Sequence, residues 1–371
     1  MSAPTILLAA GGTGGHLFPA EALAAALRGR GLGVALATDR LRADARNGTD
    51  GVEVHDLGLR RMGAGRVSRL LGLAGVVAAI PRARRLVARL APTVVVGFGG
   101  YPSVPTLLAA TAAGVPSLLH EQNAVLGRAN RLLARFVAGI ATSFAAVGGL
   151  PPGKPARLVG NPVRPAIRAL RDAPYRPHDG DGRFGLLVVG GSQGARSFSD
   201  VVPAAVAAIA PGARARLRVT QQARPEDVER ARAAYRDAGV EAEVAPFFTD
   251  IAARIAASQL VICRAGASTC AELACIGRPA LFVPYAFATD DHQTANAQAL
   301  VVAGGGWMTA QAQFDAPTLA HRIAAWMQAP GELAAAAAAM RACGRPDAAE
   351  LLADAVCDLM DRRTSTQESA A

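Results

Sequence analysis

This chain has few cysteines, few aromatic residues and no long apolar run, and these scarcities exclude several kinds of protein. Its five cysteines show no paired metal-binding spacing and no accompanying histidine pair, so we expect free, buried thiols. No apolar run reaches the roughly 18–20 residues that a membrane-spanning helix needs. Residues 1–4 lack the basic segment of a secretory signal, so we expect no signal peptide and a cytoplasmic protein.

Hydrophobic and small residues are abundant. Hydrophobic residues make up 51% of the 371 positions, and aromatic residues only 5%, whereas alanine and glycine are frequent. This length and composition allow two domains of ordinary size, with a sizeable core.

The net charge of +10 is unevenly distributed along the chain. Residues 1–163 hold 18 basic against 7 acidic side chains, whereas the remainder holds 21 against 22. The basic excess of the N-terminal half suggests an anionic partner for that half, which could be a membrane surface, an acidic substrate or a nucleic acid. The alternative is that the chain is rich in arginine and that its arginines are unevenly distributed without any anionic partner.

A glycine-rich turn near the N-terminus organises the first half. Residues 5–10 predict a short buried strand, and four of residues 11–15 are glycines. His16 ends the turn, and we expect a helix to begin near 18–19. Exposed backbone N–H groups at the start of a helix attract an anion, usually phosphate. A tight turn with an uninvolved histidine is the alternative, which a second glycine turn at 98–103 makes weaker.

Short buried runs recur along the chain and predict a parallel sheet in each half, with crossover helices. The pattern restarts near 185, where a second glycine loop spans 190–195. We therefore predict an α/β protein with two Rossmann-like domains that face each other across a cleft. The predicted strands cover residues 34–38, 52–57, 93–97, 117–120, 139–142, 185–189, 216–220, 243–245, 260–263 and 280–283.

The segment 66–90 predicts a long helix with an apolar body and basic flanks. Residues 70–80 are apolar almost all round, and arginines stand on both sides of them, including Arg82, Arg84 and Arg85. Such a helix can lie at an anionic membrane interface. An ordinary core helix with solvated arginines is the alternative.

Two further patterns have both a functional and a structural interpretation. Residues 179–181 match a metal-binding Asp-x-Asp pattern, but they follow no strand, and we interpret them as a loop. Thr269 and Glu272 fit a capping box, although Glu272 could instead bind a ribose diol. The residues after 363 are expected to be disordered.

Seven motifs occur in an order that resembles one enzyme family. Together they are similar to the bacterial UDP-N-acetylglucosamine:undecaprenyl-diphospho-muramoylpentapeptide transferases, the MurG family, and the resemblance covers roughly residues 5–360. It implies the two-domain GT-B fold and inverting transfer without a metal or other cofactor. The motifs are Gly11-Gly-Thr-Gly-Gly-His16, Gly99-Gly-Tyr101, His120-Glu-Gln-Asn123, Gly160-Asn-Pro-Val-Arg164, Gly190-Gly-Ser-Gln-Gly-Ala195, Arg264-Ala-Gly-Ala-Ser-Thr269 and Asp291-His-Gln293.

The resemblance implies site residues position by position. His16 becomes the candidate general base, with Glu121 as the other candidate. Phe248 stands where the family often has an isoleucine against the uracil, and His292 stands where some relatives have a glutamine beside Gln293. The acceptor diphosphate is expected at Gly11, Gly12, Gly99, Gly100 and Tyr101. The UDP-N-acetylglucosamine site is expected at Thr13, Gly14, Gly15, Asn123, Arg164, Ser192, Phe248, Ala267, Ser268, Thr269, Cys270, Ala271, Glu272 and Gln293.

The same resemblance implies different roles for the two halves of the chain. Residues 1–163 would bind the acceptor and the membrane, a helix at about 345–362 would pack back on them, and residues 164–344 would bind the UDP-sugar. The expected partners are UDP-N-acetylglucosamine, the undecaprenyl-diphosphate-linked acceptor and an anionic membrane, without nucleic acid. The enzyme would be peripheral on the cytoplasmic face of the inner membrane.

Other functions remain open at this point. A UDP-N-acetylglucosamine 2-epimerase or a glycolipid synthase would share the fold. A nicotinamide oxidoreductase is a minor alternative, because the full GxGxxG pattern with its acidic residue is not clearly present. A membrane scaffold without enzymatic activity would not explain two sets of glycine loops.

Overall fold

The computed structural model describes residues 4–11, 14–39, 52–59, 66–177, 182–191 and 194–368. The chain divides into two compact units. Unit 1 comprises residues 1–164 and 346–371, and unit 2 comprises residues 165–345. The Asp-x-Asp pattern at 179–181 lies outside the described residues.

Unit 1 is built on a seven-stranded parallel sheet. Its strands are β1 (Thr5–Ala9), β2 (Gly33–Thr38), β3 (Glu53–Asp56), β4 (Val94–Gly97), β5 (Ser117–Glu121), β6 (Gly139–Thr142) and β7 (Ala156–Leu158). Their order across the sheet is β3-β2-β1-β4-β5-β6-β7. The helices between them are α1 (Gly14–Gly29), α2 (Arg66–Leu90), α3 (Ser103–Ala112) and α4 (Arg128–Leu133).

Helices cover both faces of this sheet because its central strands are apolar on both sides. In β1, Leu7 belongs to one core cluster with residues of α2 and α3, whereas Ile6 and Leu8 belong to a second cluster with residues of α1. Continuous apolar strands of this kind are typical of doubly covered parallel sheets.

Helix α1 begins at Gly14, so the predicted start near 18–19 is wrong. Proline is most favoured in the first turn of a helix. Pro19 instead lies more than one turn inside α1. The helix therefore begins directly within the glycine-rich segment.

Helix α2 has a buried and an exposed side along its described part. Val76, Ala83 and Leu86 lie in the core, whereas Val77 is 58% exposed. The arginines at 82, 84 and 85 are exposed as well. The core-helix interpretation thus holds for the inner side, while the outer side presents basic charge.

Unit 2 repeats the architecture with a six-stranded parallel sheet. Its strands are β8 (Phe184–Val189), β9 (Leu217–Gln222), β10 (Glu241–Ala245), β11 (Leu260–Cys263), β12 (Ala280–Phe282) and β13 (Gly306–Met308), in the order β10-β9-β8-β11-β12-β13. Its helices are α5 (Pro165–Arg168), α6 (Arg196–Ala208), α7 (Pro211–Arg214), α8 (Val228–Asp237), α9 (Ile251–Ala257), α10 (Ala267–Ile276), α11 (His292–Val302), α12 (Ala316–Gln328) and α13 (Pro330–Ala342).

A buried arginine connects the start of unit 2 to its helices through hydrogen bonds. Arg278 is 1% exposed, and its guanidinium donates to carbonyls of Ala256, Ile276, Gly277 and Pro174. Burial, followed by the nearby charge of Arg341, lowers the pKa of Arg278 to about 10. The backbone carbonyls take the place of water for this cation.

The last helix, α14 (Ala348–Glu368), belongs to unit 1 and packs on α1. Leu352 and Val356 are fully buried in the core cluster that α1 also enters. Residues 364–368 are helical, so the expectation of disorder is wrong there, and 369–371 lie outside the described residues. Among the described residues, no helix combines the length and apolarity needed to cross a membrane.

Candidate active site

In each sheet, the glycine-rich loops follow the strands at which the strand order reverses. In unit 1, β1 lies between β2 and β4, and in unit 2, β8 lies between β9 and β11. Ligands of open parallel sheets bind outside the carboxyl ends of the strands at such a switch point. The loops after β1 and β4, and those after β8 and β11, occupy these positions in each unit.

The two loops of unit 1 are joined through Ser103. Its buried hydroxyl lies 2.9 Å from the Ala9 carbonyl and 2.8 Å from the Gly99 carbonyl. Gly100 has a φ of +74°, and a Cβ added there would lie 3.3 Å from the Gly11 carbonyl. Glycine is therefore required where the second loop passes close to the first.

His16 is held at this edge by the second loop and by Gln122. Cβ atoms at Gly99 and Gly100 would lie 3.4 Å and 3.6 Å from the His16 ring, so the ring packs on glycine backbone. Its Nδ1 lies 3.1 Å from Gln122 Oε1. The loops after β4 and β5 thus converge on the imidazole of His16, which lies in the first turn of α1.

Behind Gln122 lies a second histidine that is completely buried. His120 Nε2 lies 2.9 Å from the Gly160 carbonyl, and His120 Nδ1 lies 3.0 Å from Gln122 Nε2. Burial is the main cause that lowers the pKa of His120 to about 4, and the charge of His16 lowers it further. His120 is therefore neutral at physiological pH and supports the site from behind.

Glu121 organises the loop that follows β5. Glu121 is 1% exposed, and its carboxylate accepts hydrogen bonds from Asn123 N and Nδ2, Gly127 N and Asn130 Nδ2. A carboxylate offers about four acceptor positions, and neutral donors fill them here. Of the two base candidates, the geometry therefore favours His16.

The remaining predicted residues of unit 1 differ in their surroundings. Gly11 is buried, and a Cβ there would lie 2.6 Å from Pro102. Gly14 and Gly15 lie in the first turn of α1, and Tyr101 is half-buried against the core. The Arg164 guanidinium lies 5.3 Å from the ring centroid of Phe18. Gly12 and Thr13 lie outside the described residues.

In unit 2, the loop after β8 is a tight glycine turn. A Cβ at Gly190 would lie 2.6 Å from the backbone of Gly194, and Gly191 and Gly194 have φ values of +80° and +65°. Helix α6 follows with no side-chain hydrogen bond at its N-cap, Ala195. Within the part of the chain that the structure describes, no N-cap side chain therefore occupies the first N–H groups of α6, which suits an anion. Ser192 lies outside the described residues.

The loop after β11 leads into α10 with a glycine at the N-cap. The N-cap is Gly266 and it makes no side-chain hydrogen bond, so the predicted capping box of Thr269 and Glu272 is wrong. Thr269 lies inside the helix, because α10 begins two residues earlier, at Ala267. Among the described residues, the buried Ser268 hydroxyl has no hydrogen-bond partner.

Other predicted residues of unit 2 line the same segment or its neighbour. Glu272 is 8% exposed, and Ala267, Thr269 and Ala271 are half-buried. Burial raises the pKa of Cys270 to about 12, so this residue is a thiol and not a nucleophilic thiolate. Gln293 Oε1 accepts a hydrogen bond from the Tyr285 backbone N–H at 2.9 Å.

Phe248 has one ring face covered. It is 7% exposed, and the Arg254 guanidinium lies 4.2 Å from the ring centroid. Arg254 is in turn paired with Glu243 and Asp250.

Comparison with known proteins identifies the family. The glycosyltransferase family 28 N-terminal domain matches residues 6–142, and the family 28 C-terminal domain matches residues 185–352. The chain belongs to glycosyltransferase family 28. It is therefore a glycosyltransferase, and its two units form the α/β fold known as GT-B.

Within family 28, the chain belongs to the MurG group. It is 52% identical over 373 residues to the UDP-N-acetylglucosamine–N-acetylmuramyl-(pentapeptide) pyrophosphoryl-undecaprenol N-acetylglucosamine transferase of Granulibacter bethesdensis, covering 98% of this chain and 95% of the relative. The crystal structure of Acinetobacter baumannii MurG matches with a TM-score of 0.77 and 30% identity, covering 96% and 99% of the two chains. A UDP-GlcNAc 2-epimerase from Neisseria meningitidis, at 12% identity and a TM-score of 0.69 over 95% and 100% of the chains, shares only the fold.

Three residues of this glycosyltransferase lie in the sequence motifs but were given no role of their own. Gln122 lies two residues after His120. In an extended segment, residues two apart point to the same side, and this was the signal that could have identified Gln122. Arg264 is 8% exposed and donates to the carbonyls of Val283 and Pro284. Asn161 is 6% exposed, and within the described residues neither of its amide atoms has a hydrogen-bond partner.

Proposed function

We propose that this glycosyltransferase moves N-acetylglucosamine from UDP-N-acetylglucosamine to the C4 hydroxyl of the muramoyl sugar in undecaprenyl-diphospho-muramoylpentapeptide, with inversion. The observation that carries the proposal is the identity of about half of all residues, over nearly the full chain, to transferases that are named for this reaction. The placement of glycine-rich loops at both switch points supports it.

Unit 2 is the proposed donor-binding unit. Backbone N–H groups at the starts of α6 and α10 would stabilise the charge that develops on the UDP diphosphate. The buried Ser268 hydroxyl and the Glu272 carboxylate are polar groups of the same segment as the start of α10. UDP is already a good leaving group, so the proposed chemistry requires no metal and no strong general acid. The other proposed donor contacts are the residues predicted above for the UDP-N-acetylglucosamine site, of which Thr13 is the first and Gln293 the last in the chain.

Unit 1 is the proposed acceptor-binding unit, with His16 as the general base. A neutral imidazole can take the proton of a sugar hydroxyl near pH 7. The glycine loops after β1 and β4 would bind the acceptor diphosphate, at Gly11, Gly12, Gly99, Gly100 and Tyr101. Of the described members of this set, Gly11 and Gly99 are buried, and Gly100 and Tyr101 are half-buried.

The outer side of α2 is the proposed membrane contact. It combines the exposed Val77 with Arg82, Arg84 and Arg85. Apolar side chains with surrounding arginines bind anionic lipid surfaces, and this lipid-linked acceptor resides in a membrane. We accordingly infer a peripheral enzyme on the cytoplasmic face of the inner membrane.

The test supplies radiolabelled UDP-N-acetylglucosamine together with an analogue of the lipid-linked acceptor. The expected result is free UDP and a labelled disaccharide lipid, and both should disappear when the acceptor is omitted. Formation of N-acetylmannosamine without any acceptor would instead identify an epimerase. Transfer to a different lipid would retain the enzyme class and reject the proposed acceptor.

A further inference from the structure

The side-chain amide of Gln122 has an orientation that backbone carbonyls fix. Its Nε2 lies 3.0 Å from the Phe98 carbonyl and 3.1 Å from the His120 carbonyl. Carbonyl oxygens only accept hydrogen bonds, so the atom that faces them must be the NH₂ group. The amide oxygen therefore faces His16.

His120 Nδ1 is a third acceptor around the same NH₂ group, whose two hydrogens are shared among the three acceptors. The Gly160 carbonyl can only accept, so His120 Nε2 carries the proton of the neutral ring. His120 Nδ1 is then the unprotonated nitrogen, and Gln122 Nε2 donates to it. Backbone carbonyls at both ends thus set the direction of every hydrogen bond from Gly160 to Gln122.

We propose that Gln122 is a positioning residue that holds neutral His16 in the tautomer with the proton on Nδ1. Its Oε1 can only accept, and it lies 3.1 Å from His16 Nδ1. The hydrogen bond made by one ring nitrogen determines the tautomer of a histidine. Nε2 therefore carries the lone pair of the neutral ring.

This tautomer is what a general base at Nε2 requires. A neutral imidazole free in water favours the proton on Nε2, so an unsupported histidine would mostly present the wrong nitrogen. The packing of the ring on Gly99 and Gly100 fixes its plane, and Gln122 fixes its protonation. The consequence for catalysis rests on the proposed function, whereas the tautomer itself does not.

The test is nitrogen NMR of the full-length enzyme with ¹⁵N-labelled histidine, recorded near pH 7.5 without substrates. His16→Ala assigns the His16 signals. We expect a protonated, pyrrole-type Nδ1 and an unprotonated, pyridine-type Nε2 in the wild type. In Gln122→Met the signals should move towards the Nε2-protonated form. A wild-type spectrum with the proton on Nε2 would overturn the proposal.

Kinetics provide the second measurement. Gln122→Met should lower kcat about 10- to 100-fold and change the KM for UDP-N-acetylglucosamine less than twofold, because only the general-base contribution is affected. Gln221→Met is the matched control, since Gln221 is also a fully buried glutamine with a hydrogen-bonded amide, in unit 2. The control should leave the His16 spectrum and kcat unchanged. An equal fall of kcat in both variants would contradict a positioning role.

The two proposals fail in different ways. A His16 spectrum of the Nδ1-protonated form, in a protein that transfers no sugar to the lipid-linked acceptor, would contradict the proposed function and leave the tautomer inference standing. Sugar transfer by a protein whose His16 carries its proton on Nε2 would contradict the tautomer inference and leave the proposed function standing.

Discussion

Asn130 donates a hydrogen bond of 2.7 Å to Glu121 Oε2, across nine residues of chain. Asn123 and Gly127 donate to the same carboxylate. The three donor residues span the loop from β5 into α4, so one buried carboxylate determines the path of that loop. This structural task explains an acidic residue here without giving it a part in proton transfer.

We predict that Glu121→Gln lowers the stability of the enzyme. The new NH₂ group would face two donors, and their lost hydrogen bonds should cost about 1–3 kcal/mol in free energy of unfolding. Denaturant titration measures this change. Glu53→Gln is the control, because the Glu53 side chain is 64% exposed, and it should change stability by less than about 0.5 kcal/mol. Equal stabilities of Glu121→Gln and wild type would contradict the structural role.

His16→Ala should lower turnover far more than donor affinity. Removal of a general base costs about 10²- to 10⁴-fold in rate, whereas the UDP-sugar is proposed to bind mainly through unit 2. Turnover with the acceptor analogue and calorimetric binding of UDP-N-acetylglucosamine separate the two effects. His321→Ala, on the exposed side of α12, should match the wild type in both. An unchanged rate in His16→Ala would exclude His16 from the chemistry.

The sheets were predictable because their central strands are short apolar runs followed by glycine. The strands at β6 (Gly139–Thr142) and β11 (Leu260–Cys263) were predicted with the observed bounds. Strands β7 and β13 were missed, since each has three residues and neither is fully buried. Such short strands are defined by their sheet neighbours more than by their own sequence.

The site was predictable in its loops and not in its hydrogen bonds. His16 and Gln122 are separated by 106 positions, and His120 and Gly160 by 40. Only the parallel sheet brings these residues to one edge, so a local pattern could not reveal the contacts. The capping-box prediction failed for the opposite reason: the local pattern was present, but the backbone of Gly266 begins α10 instead.

The proposed membrane contact predicts a loss of lipid binding when its charge is removed. Each arginine near an anionic surface contributes about 1 kcal/mol, so changing Arg82, Arg84 and Arg85 together to glutamine should weaken vesicle binding roughly 100-fold. Co-sedimentation with vesicles containing anionic lipid measures this binding. A triple glutamine variant at Arg183, Arg218 and Arg236, which are exposed on unit 2, is the control of equal charge. Equal losses in both variants would indicate a general charge effect without a specific face.

The attachment of α14 should depend on its apolar side more than on its ion pairs. Arg30 pairs with Glu350 at 3.0 Å and Asp354 at 2.8 Å, but all three side chains are partly exposed to solvent. Exposed pairs contribute up to about 1 kcal/mol, whereas truncating a buried valine leaves a cavity that costs about 2 kcal/mol or more. Val356→Ala should therefore lower the unfolding midpoint more than Arg30→Gln does. The reverse order would show that the ion pairs hold the helix.

The buried His120 should make stability depend on pH between about 4 and 6.5. Burial and the charge of His16 lower the pKa of His120 to about 4, from the usual histidine value of 6.5. Between these values the unfolded chain binds a proton that the folded protein does not, so stability falls as the pH falls, by about 1.4 kcal/mol per pH unit. His120→Asn removes this proton uptake, and urea titrations at pH 7, 6 and 5 should show a smaller loss in the variant. Carboxylates titrate in both proteins, so the difference between the two slopes reports His120. Parallel slopes would mean that His120 is protonated in the folded protein over this pH range, where its Nδ1 could not accept the hydrogen bond from Gln122.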